Sequence, residues 1–241
     1  MLSQSISMGV IELKRKHDAA AVNSSLVRRP IRRMDYKTGK KTFDLAELRY
    51  GLGLQMLLYL FALEQEGGAL FGGKEIVPAG LLYTPAREPM LRCARDTADE
   101  TIEKARKKEL RRSGMVLEDP AVLEAMEHDA LDAPEYLPIA VKKGGALSGS
   151  LASEGQFAKL AKYVDRVLRE IADEVFAGNI NADPYARTPQ QSACTYCEFA
   201  SACHFENGRG GDHMEYIKAT KTDEFWSYID EVNGKGGRKN G

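Results

Sequence analysis

"RRMDYKTGKKTFDLAELRYGLGLQMLLYLFALE", residues 32–64, carries an acid and a lysine one residue apart, a glycine turn, and a leucine-rich run interrupted by a glutamine. "PIRRMDYK" at 30–37 reads as a strand, closed by the turn signal "TGKK" with Gly39. Side chains two apart on a strand leave the same face, so Asp35 and Lys37 project together. A carboxylate in that position can hold a hard divalent cation while the ammonium sits beside the reacting group. That pairing suits Mg²⁺-assisted phosphodiester hydrolysis, and a surface ion pair at a strand end is the plainer reading. Asp44 as N-cap, with Glu47 three residues later, predicts a helix running to about Leu63. Leu48, Leu52, Gln55 and Tyr59 follow one another at spacings of four, three and four, which places them on one helical face. Gln55 is thus expected to point at the sheet, where an unpartnered amide costs about 1–3 kcal/mol. Either a functional site or a neighbouring backbone group would supply the partner.

Outward from this stretch the pattern alternates. "EIVPAGLLYT" at 75–84 reads as a strand with an edge or irregular start at Pro78, followed by a charged helix over about 97–113 and a short one over 120–128. "YLPIAVKKGGAL" at 136–147 reads as a strand and turn. Residues 153–177 form a long amphipathic pattern with Phe157, Leu160, Val164, Val167, Leu168 and Ile171 on one side. Strands alternating with helices predict an α/β core, a mixed sheet with helices on its faces, to which a cysteine-bearing segment is appended. The tail from 208 is glycine-rich and polar apart from a short aromatic helix around Phe225 and Trp226. No internal repeat, Walker A loop or dinucleotide-binding fingerprint is present.

The net charge of −1 over 241 residues does not by itself announce nucleic acid. Cations are nevertheless clustered, at Arg28, Arg29, Arg32 and Arg33, at Lys37, Lys40 and Lys41, and in "KARKKELRR" at 104–112, the last reading first as a solvated helix face. No run of eighteen uncharged apolar residues exists to span a membrane, and the first residues lack the order of a signal peptide, so a cytoplasmic location is expected. Cys194, Cys197 and Cys203 have the spacing Cys-x2-Cys-x5-Cys, whereas Cys93 stands apart. In a reducing compartment such a triplet suggests a metal rather than disulfides, and spacing alone leaves zinc and iron–sulfur equally open. Cys93, His204 and His213 are the candidates for a fourth ligand.

"DYKTGKK", the Gln-x-x-x-Tyr of "QMLLY" and the late "CTYCEFASAC" together resemble the RecB-type branch of the PD-(D/E)XK nucleases, and within it the AddB-type nuclease domains. "PAGLLYTPAREPM", "GMVLEDPAVLEAME" and "YLPIAVKKGGAL" extend the resemblance over most of 31–207. It implies a restriction-endonuclease-like mixed sheet flanked by helices, with a C-terminal cysteine-rich metal-cluster segment. Asp35 then resembles the metal-binding acid and Lys37 the catalytic lysine, with Gln55 and Tyr59 as the Gln-x-x-x-Tyr pair beside metal and DNA. Lys40 and Lys41 follow as DNA-binding candidates. The family's upstream Gly-x-Ile-Asp-Arg-x-Asp phrase is absent; "GVIELKR" at 9–15 is a faint echo of it, with Glu12 where the aspartate would stand. The implied cofactors are Mg²⁺ and a 4Fe-4S cluster on Cys194, Cys197 and Cys203, zinc being the alternative. The implied partners are DNA, cut on the 5′-ended strand in recombinational repair of double-strand breaks, and an AddA-type helicase-nuclease subunit. Residues 1–30 read as an atypical or non-native lead-in, 31–190 as the nuclease core, 191–207 as the iron–sulfur cysteine segment and 208–241 as a tail. The chain reads as a fragment of a longer protein. A catalytically incomplete DNA- or partner-binding fragment, stapled by an iron–sulfur or zinc site, is the alternative reading.

Overall fold

A computed structural model describes residues 9–12, 28–39, 41–179 and 181–235. The chain forms two compact units that exchange segments, one from residues 1–43 and 55–161 and the other from 44–54 and 162–241.

The first unit is built on a five-stranded mixed sheet. Strand β1 (Gly9–Glu12) pairs antiparallel with β2 (Arg29–Lys37), which lies parallel to β3 (Ile76–Pro85). Beyond β3, β4 (Ser113–Leu117) is antiparallel to it, and β7 (Leu151–Ala152) closes the edge parallel to β4. β3 is buried along Ile76–Tyr83, the continuous apolar run of a strand covered on both faces. Its Pro78 stands in a central strand rather than at a sheet edge. β4 pairs with β3 only from Gly80 to Tyr83, and the register with β2 slips between Ile31 and Arg32, so the missing N–H falls where the ladder is already interrupted. The β3–β4 approach is close at Gly114, where a Cβ would lie 2.0 Å from the Leu81 carbonyl oxygen.

The leucine-rich stretch is two helices, not one. Helix α1 (Leu45–Arg49) is capped by Asp44, which accepts the Ala46 N–H, and the chain then turns through Gly51 and Gly53 at φ +72° and +69° before α2 (Gln55–Glu66) begins. Left-handed backbone at two glycines ends the first helix, so the four-three-four spacing spans a break and defines no common face. α1 belongs to the second unit; α2, in the first, packs on β2 and β3 through Leu57, Leu60 and Phe61. Helix α3 (Asp99–Glu109) has no buried residue, as its charge pattern requires. Helix α4 (Pro120–Met126), capped by Asp119, packs on β4. Arg33 lies over the Tyr59 ring of α2, while its strand neighbour Arg32 donates to the Met126 carbonyl at the end of α4. Alternate residues of β2 thus reach opposite faces, and a helix covers each face. "YLPIAVKKGGAL" forms the hairpin β5 (Ile139–Val141) and β6 (Leu147–Gly149).

Helix α5 (Glu154–Phe176) starts in a reciprocal cap, Ser153 Oγ accepting from the Gln156 N–H while Gln156 Oε1 accepts from the Ser153 N–H. Its apolar stripe is buried at Phe157, Leu160 and Val164, but Leu168 and Ile171 are exposed, contrary to the expectation from periodicity.

In the second unit, β8 (Tyr185–Thr188) lies between β9 (Gln191–Ser192) and β10 (Glu215–Tyr216). Helix α6 (Ala200–Cys203) is a single turn, and α7 (Thr222–Lys235) packs against α1, burying Phe225 and Ile229 completely. Tyr163 donates its hydroxyl to the Leu48 and Arg49 carbonyls at 2.8 and 3.0 Å, which fixes the end of α1.

Candidate functional site

β2 sets Arg33, Asp35 and Lys37 on one face because its side chains alternate. Asp35 is 5% exposed and stands opposite Tyr83 of β3. The Lys37 ammonium lies 2.7 Å from Asp35 Oδ2, and 5.9 Å above the Tyr83 ring centroid. The other carboxylate oxygen, Oδ1, is buried without a hydrogen-bond partner among the described residues. A buried anionic oxygen left bare is costly, and one explanation for its retention is a ligand it must hold.

From α2, Tyr59 presents its ring to the Arg33 guanidinium at 5.0 Å. Gln55 Nε2 donates to the Tyr59 hydroxyl at 3.2 Å. Gln55 is exposed and not buried in the core: it is the first residue of α2, a helix start where the sequence pattern predicts mid-helix. Strand and helix thus bring Asp35, Lys37, Arg33, Tyr59 and Gln55 to one side of the sheet. No motif singles out Arg33, although its place two residues before Asp35, on the same strand face, was the available signal.

Lys41 is exposed and lines a cavity of about 110 Å³ that Lys37 also borders. Lys40 lies outside the described residues. For Glu12 only the backbone is described: it ends β1 opposite Ile31, four residues along β2 from Asp35, or roughly 13 Å at strand rise. Among the candidates, therefore, Glu12 is not brought beside Asp35.

Cys194, half-buried, and Cys197 and Cys203, both exposed, stand in the second unit as free thiols in the turn before α6 and within it. The Cys197 N–H donates to the Cys194 carbonyl at 3.3 Å, and α6 ends at His204 in left-handed backbone. Cys93 is an exposed thiol of the first unit. Among the described residues no three histidine, cysteine, aspartate or glutamate side chains converge as metal ligands. The donor set nonetheless has the softness a zinc or iron–sulfur site needs, with three thiols in ten residues. His213 is already engaged, by Glu215 at 2.9 Å and Asp183 at 3.1 Å.

No helix among the described residues is long and apolar enough to cross a membrane. The mixed sheet, the acid and lysine on one strand and the covering helices define a restriction-endonuclease-like α/β architecture, and comparison of the sequence agrees. A family model described as the PD-(D/E)XK nuclease superfamily matches residues 28–204, and the chain belongs to that superfamily. It is similar to the AddB subunits of ATP-dependent helicase/deoxyribonucleases. Identity is 32% over 211 residues in Thermoanaerobacter sp. (strain X514), 34% over 203 in Clostridium kluyveri and 36% over 199 in Clostridium botulinum (strain Hall). These matches cover 87%, 83% and 81% of this chain and 18%, 18% and 17% of the relatives, so the chain spans less than a fifth of their length.

Proposed function

We propose that the chain is the Mg²⁺-dependent nuclease part of an AddB-type helicase-nuclease, hydrolysing phosphodiester bonds of unwound DNA. The observation that carries this reading is the buried Asp35, one oxygen held by Lys37 and the other without a hydrogen-bond partner among the described residues. Asp35 Oδ1 would be a ligand of the ion. When bound, Mg²⁺ lowers the pKa of an attacking water and offsets charge on the phosphate. Lys37 pairs with the carboxylate and places a positive charge where negative charge grows on the phosphate oxygens as water adds and the leaving oxygen departs with a proton. Gln55 and Tyr59 line the approach, the exposed amide being able to donate to the DNA strand. The 5′-ended strand as substrate, an AddA-type partner, a cytoplasmic setting and a role in double-strand-break repair by recombination follow from the family resemblance.

Cys194, Cys197 and Cys203 would supply three thiolates of a 4Fe-4S cluster, or of a zinc site. The fourth ligand is not identified among the described residues.

A second reading is favoured by the β1 register: with Glu12 opposite Ile31, no second carboxylate is placed beside Asp35 among the described residues, and the ion prefers several fixed oxygen ligands. The chain would then bind DNA or a partner without cutting. The test is the release of acid-soluble nucleotide from single-stranded DNA by anaerobically purified chain, with Mg²⁺ and with EDTA. Cleavage that needs Mg²⁺ and disappears in Asp35→Ala and Lys37→Ala supports the nuclease. DNA binding with no cleavage by the unmodified chain supports the second reading.

A further inference from the structure

Beyond Asp35 and Lys37, at the C-terminal ends of β2 and β3, the Ala86 N–H donates to the Lys37 carbonyl at 2.9 Å, and the cavity of about 110 Å³ opens there. That is room enough for a small oxyanion with a few waters. Lys37, Lys41, Arg87, Lys108 and Arg111 all line it, against one acid, Glu109, which Arg87 engages at 3.2 Å. Arg111 is held in place by the Leu137 and Ile139 carbonyls. Of the three cations that close α3, Arg106 pairs with Glu88 and Lys107 with Glu135. Lys108, the third, faces the cavity with no acidic partner among the described residues. Two buried donors on the lining, Arg87 Nε and Thr84 Oγ1, make no hydrogen bond among the described residues. Five positive charges, unused donors and a small volume specify a ligand that brings acceptor oxygens and negative charge.

We propose that this cavity seats the backbone phosphate of the DNA strand next to the one cleaved, with Arg87 and Lys108 as its positioning residues. Lys37 is common to both places, so a strand laid along β2 would have consecutive phosphates at Asp35 and in the cavity. The inference rests on the nuclease reading and adds to it the register of the substrate. Neither residue touches the reacting atoms: holding the neighbouring phosphate sets the register of the bound strand equally in the ground state and the transition state.

The experiment uses the full chain and fluorescein-labelled single-stranded oligonucleotides, with binding read by anisotropy in Ca²⁺ and cleavage in Mg²⁺. Arg87→Gln/Lys108→Gln should raise KM about tenfold with kcat within a factor of two. Its log Kd against log salt slope should fall by about 0.7, one phosphate of a single strand. Arg87→Lys should restore most of the slope. In the unmodified protein, a single methylphosphonate at the neighbouring position should weaken binding, and the double variant should be indifferent to it. The exposed Lys108→Glu alone provides the same test should the double variant fold poorly. Unchanged KM and slope in the variants of a chain that cleaves, as a cavity taking only free phosphate would give, overturn this inference and leave the nuclease reading standing. An unmodified chain that neither binds nor cleaves overturns both.

Discussion

The ammonium of Lys37 stands 2.7 Å from one oxygen of Asp35, and the carboxylate's second oxygen is buried with no hydrogen-bond partner among the described residues. Lys37→Met therefore leaves a nearly buried carboxylate with no counter-charge, at a cost on the order of 1–3 kcal/mol in EDTA. Mg²⁺ should return part of that loss. In the unmodified protein Mg²⁺ at a hundred times its Kd should add about 2.7 kcal/mol, and in Asp35→Asn it should add almost none. Calorimetric melting with and without Mg²⁺ checks all three; an equal Mg²⁺ effect in Asp35→Asn would remove Asp35 as the ligand.

Gln55 is exposed and meets the rest of the site through its hydrogen bond to Tyr59. Gln55→Ala should change stability by less than about 0.5 kcal/mol. Its loss of cleavage, expected at roughly tenfold or more, would then report contact with the DNA strand and not damage to the fold. Paired melting and cleavage measurements separate the two, and full activity would exclude Gln55 from the site.

Tyr163 is buried and donates to two carbonyls at the end of α1. Burial first, and then the neighbouring Tyr228, push its phenol pKa well above the ordinary range, so it remains a donor at every practical pH. Tyr163→Phe keeps the ring and strands the acceptors, which predicts a loss of about 1–3 kcal/mol by denaturant unfolding. A loss under about 0.5 kcal/mol would mean that water replaces the hydroxyl.

Both ring nitrogens of His213 face carboxylates, and both donate only in the charged form. The Glu215 hydrogen bond foremost, then the Gly211 backbone and the charge of Asp183, raise its pKa above the ordinary histidine value. A raised pKa means stabilisation fully present below the unfolded value of about 6.5 and lost as pH rises through the folded value. The NMR titration midpoint of His213 should lie above about 6.5 and fall in Glu215→Gln; a midpoint insensitive to that change would contradict the hydrogen bond.

Cys194, Cys197 and Cys203 predict a metal content that Cys→Ser at any one of them reduces. Anaerobic protein with a broad absorbance near 400 nm and acid-labile sulfide identifies the cluster, and colourless protein with one equivalent of zinc identifies the alternative. Metal-free protein of unchanged stability would dismiss both.

The half of the site carried by β2 was legible because strand alternation is a short-range rule: Asp35, Lys37 and the turn after them needed no tertiary knowledge. Gln55 was misplaced for the opposite reason. The helical period runs through Leu48, Leu52 and Gln55 and carries the expected helix across Gly51 and Gly53, the two residues whose left-handed backbone ends α1 where the chain changes unit. The cavity beyond Lys37 was illegible in principle, since it gathers residues from β2, β3, α3 and β4 whose basic members read locally as a solvated face. The exposed end of the α5 stripe shows a like limit: periodicity tells which side of a helix is apolar, not how far along that side is covered.

The exchange of segments also has a consequence for synthesis. The Tyr163 hydroxyl that fixes α1 lies 115 residues downstream of Leu48, and Arg187, which pairs with Asp44 and Glu47, lies further still. At roughly 5–20 residues per second, a ribosome that has released α1 needs about 6 to 23 s more to deliver Tyr163. During that interval β2, β3 and β4 can already pair, while α1 awaits its anchors. A nascent chain thus holds a nearly finished sheet, with α2 free to pack on it, while α1, a short helix encoded between β2 and α2, is secured last.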